Sequence, residues 1–343
     1  MGEVIRSRDD VWTAIEDSSA IGAARRRATA LAEAAGFDEH DSGRVALAVT
    51  EAASNLIKHA VEGGMLIRVH PESVEAVEVI ALDRGPGIQD LNRALRDGYS
   101  TAGTLGVGLG GIARMASAHE VHSMPGRGTV LAMCFTKADV PTPPLRVSGL
   151  TRPIGEEVVS GDAFACADSP ELAVIMMCDG LGHGEPAANA SRQAVRAFVD
   201  GDPFGSSPAE TLRRVHRALA GTRGGAVAVA RLDRVAGTVR YAGLGNISGW
   251  VVRSDGRQGM ISVPGIAGHH SRTLREYDYA VSPQSLVVLH SDGLSERWDL
   301  SGMRGVTARA PAVVAATLLR EAGTRRDDAC VAVLRAASPV AAA

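Results

Sequence analysis

A chain of 343 residues is long enough for two domains of ordinary size, each burying its own core. Apolar residues at 45% and charged residues at 22% exclude a disordered chain. A net charge of −3 and an aromatic content of 3% supply neither the basic field nor the stacking platforms of a nucleic-acid or anionic-membrane binder.

In chain order, hydrophobic periodicity predicts helices over 20–36 and 41–61, then strands over 64–70 and 75–83. A helix over 89–97, a helix over 106–118 and two strands within 119–135 follow. Pro141, Pro143 and Pro144 then interrupt the pattern; they favour an extended, semi-rigid spacer. Beyond it, strands are expected at 156–166, 171–179, 225–232, 237–244, 248–254, 285–291 and 329–335, with helices at 185–199, 208–220 and 311–322. This order predicts an α+β chain of layered sandwiches. The expected boundaries are a first domain over 1–138, a linker over 139–145, a second domain over 146–338 and a tail over 339–343.

Cys134, Cys166, Cys178 and Cys330 form no C-x-x-C pair and sit in apolar stretches, which reads as buried thiols in a reducing compartment. The opening MGEVIRSRDD has no apolar signal core, and no stretch approaches the ~20 apolar residues of a membrane span. A cytoplasmic location is the expectation.

Two motif sets carry the chemistry. In the first half, Val45, Ala48, Val49, Ala52, Ala53, Leu56, Ile57 and Ala60 form an apolar helical stripe. Glu51, Asn55 and His59 line up beside it at i, i+4 and i+8. A carboxylate and a carboxamide on one ridge can orient a hydroxyl and place an oxygen on Mg²⁺; a solvated helix face would look the same in isolation. The next strand runs into Asp83, followed by Gly85, Pro86, Gly87 and Ile88. A glycine run with Gly103, Gly106, Gly108, Gly110 and Gly111 then leads into a helix, where backbone N–H groups can meet phosphates. Gly126-Arg-Gly128-Thr129 closes the set. It has neither the lysine of a P-loop nor a Rossmann unit.

In this order the pieces resemble the GHKL ATPase/kinase superfamily over roughly residues 20–136. The stretch DRGPGIQDLNRALRDGYSTAGTLGVGLGGIARMA is most similar to its RsbT-type serine/threonine kinases. The resemblance implies a sandwich with helices on one face of a mixed sheet and an ATP-Mg site. There Glu51 polarises the attacking hydroxyl, Asn55 carries Mg²⁺, and Asp83 and Thr129 read adenine. Gly85 and Gly87 approach the base, and Gly106, Gly108 and Gly110 line the phosphate lid. It also implies STAS-domain protein substrates, stress-response partner switching, a sigma factor or a downstream phosphatase as further partners, and a homodimer as one arrangement.

In the second half, Asp179-Gly180 and Asp292-Gly293 each end an apolar strand, Asp162 sits in a Ser-Gly-Asp turn, and Asp327-Asp328 precedes a strand. Each Asp-Gly pair alone reads as a turn. Together, several aspartates without a Cys/His pair favour Mg²⁺ or Mn²⁺, and two such ions can activate a water between them. The pattern resembles the PPM phosphatases, in their SpoIIE/RsbX-like branch, over about 148–337. That resemblance implies a β-sandwich flanked by helices and metal ligation by Asp162, Asp179, the Gly180 carbonyl, Asp292 and Asp327, with Asp328 outside the ligand set. Cys330 stands where the family shows a hydroxyl residue, and the basic residue at the phosphate site of eukaryotic relatives finds no counterpart. His183 is a candidate general acid, weighed against a purely conformational place in its turn.

The combined expectation is a bifunctional enzyme that phosphorylates and dephosphorylates Ser/Thr of STAS-domain proteins. The alternative is a sigma-factor or partner-binding switch whose ATP domain senses nucleotide while the phosphatase alone is active.

Overall fold

The computed structural model describes residues 3–6, 10–70, 73, 75–95, 108–142, 146–271 and 273–336. The chain divides into two compact units, one of Val11–Pro144 and one combining Met1–Asp10 with Leu145–Ala343. The expected first domain over 1–138 therefore loses its opening residues. Strand β1 (Glu3–Arg6) pairs antiparallel with a strand of the C-terminal unit, placing Ile5 opposite Cys166. Pro143, Pro144 and the rest of the spacer through 145 lie outside the described residues.

In the N-terminal unit, β2 (Trp12–Ala14) precedes α1 (Ser18–Ala34) and α2 (Glu39–His59). Then come β3 (Gly64–Val69), β4 (Ala76–Leu82), α3 (Leu91–Ala94), α4 (Gly108–Met115), β5 (Ala118–Ser123) and β6 (Thr129–Thr136). Both long helices start on aspartate caps: Asp17 accepts from the N–H groups of Ser19 and Ala20, and Asp38 from that of Asp41. The buried side of α1 is Ala24, Ala28 and Ala32, a stripe of small residues that lets the helix pack closely on α2. Both helices cover one face of a five-stranded sheet in the order β2-β3-β4-β6-β5. Its described pairings are all antiparallel, so the mixed sheet expected from the resemblance is corrected. Alternation along β4 sends Val77, Val79 and Ala81 to the helices and Glu78 to the opposite face. The helix expected over 89–97 is the single turn α3 within the described residues.

The C-terminal unit adds β7 (Val147–Arg152), β8 (Asp162–Asp168), β9 (Leu172–Gly180), α5 (Glu185–Val199) and α6 (Pro208–Ala218). It continues with β10 (Gly225–Asp233), β11 (Thr238–Leu244), β12 (Ser248–Arg253) and β13 (Gly256–Met260). The short strands β14 (Ser262–Val263), β15 (Gly265–Ile266), β16 (His270–Ser271) and β17 (Tyr277–Ala280) lead to β18 (Leu286–His290), α7 (Pro311–Ala322) and β19 (Ala329–Arg335). One sheet runs β1-β8-β9-β10-β11-β14 with β17 also on β11, and the other runs β13-β12-β18-β19-β7. β9 is apolar from Leu172 to Cys178 because both its faces are covered there. Ala173, Ile175 and Met177 enter the core shared with the second sheet, while Val174, Met176 and Cys178 enter the core under α5 and α6. Helix α7 packs on β7 and β19. The unit is a β-sandwich flanked by helices, and the whole chain is α+β. All four cysteines are buried.

Candidate functional site

The N-terminal unit holds a cavity of about 430 Å³, within the range of small-molecule sites. Helix α2 buries Val45, Ala48, Val49, Ala52, Ala53 and Leu56 and turns Glu51, Asn55, Lys58 and His59 to the cavity wall. The facing wall comes from the end of β4 and the start of β6. The backbone N–H of Asp83 donates to the Thr129 carbonyl at 3.0 Å, so the two side chains stand side by side. Thr129 Oγ1 lies 2.8 Å from Ser123 Oγ, and Ser123 Oγ accepts from the Ile88 N–H at 2.8 Å. These bonds pin the loop after Asp83 to the sheet edge. Gly128, at φ +76°, makes the approach possible: a Cβ there would lie 2.0 Å from the Asp83 carbonyl oxygen.

Glu51, Asn55, Asp83, Gly87, Gly108 and Thr129 all line this cavity. Gly85 and Gly110 are not on its wall: Gly85 donates its N–H to Asp83 Oδ1 at 2.6 Å, and Gly110 is buried within α4. Gly103 and Gly106 fall outside the described residues, as does the whole of 96–107. Lys58 and Arg93, which the motif reading passed over, also line the cavity. The available signal for Lys58 was its position three residues after Asn55 on the same ridge.

In the C-terminal unit the aspartates meet through sheet register. Asp162 at the start of β8 stands opposite Asp179 near the end of β9. The Gly180 N–H donates to the Gly161 carbonyl at 3.1 Å, closing the end of that ladder. Asp292 follows β18, and Asp327-Asp328 precede its neighbour β19. A Cβ on Gly293 would sit 1.9 Å from the Asp328 carbonyl, so this crossing of two loops admits only glycine. Both Asp328 oxygens accept backbone N–H groups, from Ile154 at 2.8 Å and Gly161 at 2.9 Å. Asp328 thus ties down the loop that carries Asp162. Asn246, unnoticed in the sequence, donates to Asp292 Oδ2 at 2.7 Å. Its only local signal was the Gly245-Asn246 turn after an apolar strand.

The electrostatics are those of crowded like charges. Burial, then the charge of Asp179, raises Asp162 far above the carboxylate range, against a hydrogen bond from Ser291. Burial and the charges of Asp292 and Asp327 push Asp179 up to about 7. Asp292 and Asp328 are raised as well, first by desolvation. Asp162 Oδ2 is buried without a hydrogen-bond partner. A buried orphaned oxygen beside three further carboxylates demands protons or cations, and an all-oxygen donor set fits hard divalent ions. Among the described residues no three His, Cys, Asp or Glu side chains close on one point as a ready-made cage. The carboxylates stand instead as neighbouring pairs, with the Gly180 carbonyl at the end of the same ladder. His183 is turned to Glu157, 3.2 Å from Nδ1 to Oε1.

Comparison with known proteins decides the family. Residues 16–135 match the histidine kinase-like ATPase domain family. The serine/threonine-protein kinase RsbT of Bacillus subtilis (strain 168) is 36% identical over 110 residues, which span 32% of this chain and 83% of the relative. The chain belongs to the RsbT family. This RsbT-family chain carries a second domain: residues 169–338 match the stage II sporulation protein E (SpoIIE) family. Asp179, Asp292 and Asp327 fall within that match and Asp162 lies upstream of it. Members of enzyme families thus stand on both sides of the spacer. A solved chain from the bacterial stressosome, described as a modular system adapted to control secondary messenger signalling, is 28% identical with a TM-score of 0.50. The match covers 55% of this RsbT-family chain and 98% of that one. The PP2C phosphatase domain of SpoIIE from Bacillus subtilis, solved with a fragment of its regulatory domain, is 16% identical with a TM-score of 0.46. That match covers 78% of this chain and 81% of that one. No helix among the described residues is long and apolar enough to cross a membrane.

Proposed function

We propose that this RsbT-family chain is a bifunctional partner-switching regulator. Its N-terminal unit phosphorylates Ser or Thr of STAS-domain proteins with Mg-ATP, and its C-terminal unit removes the phosphoryl group. The observation that carries the reading is the pair of sites: Glu51, Asn55, Asp83 and Thr129 around one cavity, and Asp162, Asp179, Asp292 and Asp327 gathered at the ends of paired strands.

In the cavity, Asp83 and Thr129 are positioned to accept from and donate to an adenine edge. Asn55 would hold the Mg²⁺ of Mg-ATP through its carbonyl oxygen, and Glu51, one helical turn away, would orient the incoming hydroxyl and take its proton. Lys58 and Arg93 add positive charge to a wall that has to receive phosphates. In the C-terminal unit, two divalent ions, when bound, would lower the pKa of a water between them and clamp the phosphoryl oxygens. Asp162, Asp179, the Gly180 carbonyl, Asp292 and Asp327 would hold them. Asn246 keeps Asp292 in place through its Oδ2, and Asp328 fixes the Asp162 loop through two backbone amides.

The test is incubation with Mg-ATP and candidate STAS proteins. Asn55→Ala should cut phosphorylation by about 100-fold or more, the scale of losing one group that stabilises transferring charge. Asp179→Ala should accumulate phosphoprotein. Unimpaired phosphorylation by Asn55→Ala would sink the kinase assignment and leave a nucleotide-sensing binding module.

A further inference from the structure

We propose that Arg223 is the phosphate-binding cation of the C-terminal site, the basic residue for which the motifs offered no counterpart. The inference rests on the phosphatase reading of that site.

Arg223 immediately precedes the Gly224-Gly225 step into β10. Gly225 pairs with Gly180 and Ala226 with Asp179, so continuing the antiparallel register sets Arg223 against Gly182. The Leu181 N–H donates to the Gly224 carbonyl at 3.0 Å, which extends the pairing past the strand ends. The guanidinium lies over Gly182: Nη1 is 2.9 Å from the place a Cβ on that residue would occupy. Gly182 has φ +87° and no side chain, and both features leave room for the guanidinium plane. Its carbonyl in turn lies 3.3 Å from the Cβ position of Gly161, the residue before Asp162. The guanidinium therefore stands beside the short loop that leaves Asp179, which itself approaches the turn preceding Asp162.

The loop that presents Arg223 is fixed. Thr222 Oγ1 donates to the Leu219 carbonyl at 2.7 Å and accepts from the Gly224 N–H at 2.9 Å. His269 Nε2 lies 3.1 Å from the Arg223 carbonyl. The side chain itself is exposed, and among the described residues no carboxylate forms an ion pair with it. The His183 ring, on the same loop, is engaged by Glu157. An exposed guanidinium with a fixed backbone, beside the loop that leaves Asp179, is suited to the outer oxygens of a phosphoryl group, which it can grip by two parallel N–H bonds.

The experiment uses the full chain with Mn²⁺ and inorganic phosphate as the probe. Phosphate binding is followed by calorimetry, and p-nitrophenyl phosphate hydrolysis gives KM, kcat and the phosphate inhibition constant. For Arg223→Ala, phosphate binding should weaken by about tenfold or more and KM should rise with it, as expected for loss of a charge-assisted bond. The Mn²⁺ half-saturation should stay put, and Arg223→Lys should recover part of the loss. Unchanged phosphate affinity in Arg223→Ala overturns the proposal, as does no phosphate binding by the wild type or a parallel loss of Mn²⁺ affinity. Asp179→Asn separates the two readings. If wild type and Asp179→Asn hydrolyse alike, the phosphatase reading fails, while the calorimetric titration still decides Arg223.

Discussion

At Gly128 one hydrogen atom is all that the edge of the nucleotide cavity can accommodate. Its φ of +76° and the 2.0 Å gap from a would-be Cβ to the Asp83 carbonyl act together. Gly128→Ala should destabilise the N-terminal unit by about 1–3 kcal/mol and weaken nucleotide binding, because Asp83 has to move. Thermal unfolding with and without ATP checks this; a variant that binds ATP like the wild type would refute it. Glu78 and Arg68 illustrate charge on the opposite side of the same sheet. They face each other across β3 and β4, with Arg68 Nε 2.7 Å from Glu78 Oε2, and Nη2 at 2.6 Å in ion contact but off hydrogen-bond alignment. Burial alone would raise the Glu78 carboxyl, yet Arg68 and then His70 outweigh it and hold it below the usual range. Burial and Arg68 likewise depress His70, against the pull of Glu78. Both depressed groups bind protons more readily in the unfolded chain, so stability is present at neutral pH and falls on acidification. His70 contributes to the loss below about pH 6.5 and Glu78 below about pH 4.3. Glu78→Gln removes the carboxylate that Arg68 grips in a buried setting and should cost about 3 kcal/mol at pH 7. Its unfolding temperature should then respond less than wild type between pH 5 and pH 3, as read by melts across that range.

Among the elements, β1 matters out of proportion to its length. Ile5 is 1% exposed and belongs to the core between the two C-terminal sheets. Ile5→Ala should cost about 2–4 kcal/mol. The loss should fall on the C-terminal unit, which Trp250 and Trp298 report by fluorescence during denaturation. A loss confined to the N-terminal unit would contradict this placement. Elements of this kind were the least legible in the sequence. Glu3–Arg6 has too few residues to display a period, and its partner β8 lies far along the chain. β7 reads Val-Ser-Gly-Leu-Thr-Arg, in which a glycine and two hydroxyl residues hide a buried strand. The long helices and the apolar strands β4, β9, β18 and β19 were legible because burial on one or both faces leaves a repeating or continuous apolar signature.

At the scale of the molecule, legibility followed how locally each site is encoded. Glu51, Asn55 and Asp83 could be read because one helix ridge and one strand end carry them, and Asp179 and Asp292 because each closes an apolar strand. Lys58 and Arg93 look like any solvated basic residue until the cavity wall is assembled. Asn246 and Arg223 meet their neighbours only through long-range strand pairing, which no local spacing records. The fold class was plain from the order of elements, whereas the true membership of Glu3–Arg6 depended on a pairing with a strand beyond the entire N-terminal unit in sequence.

That pairing sets a schedule for synthesis. β1 is translated before β8, with all of 11–144 between them, so at roughly 5–20 residues per second about 8–32 seconds separate the two. Throughout that interval the strand stays unpaired on the growing chain, a template for joining the wrong sheet. Its sequence suits the wait: Val4-Ile5 is bracketed by Glu3 and Arg6, charges of the kind that keep short apolar segments from aggregating. A chain released before β8 would leave β1 without its partner, and chaperone demand during production should track that delay.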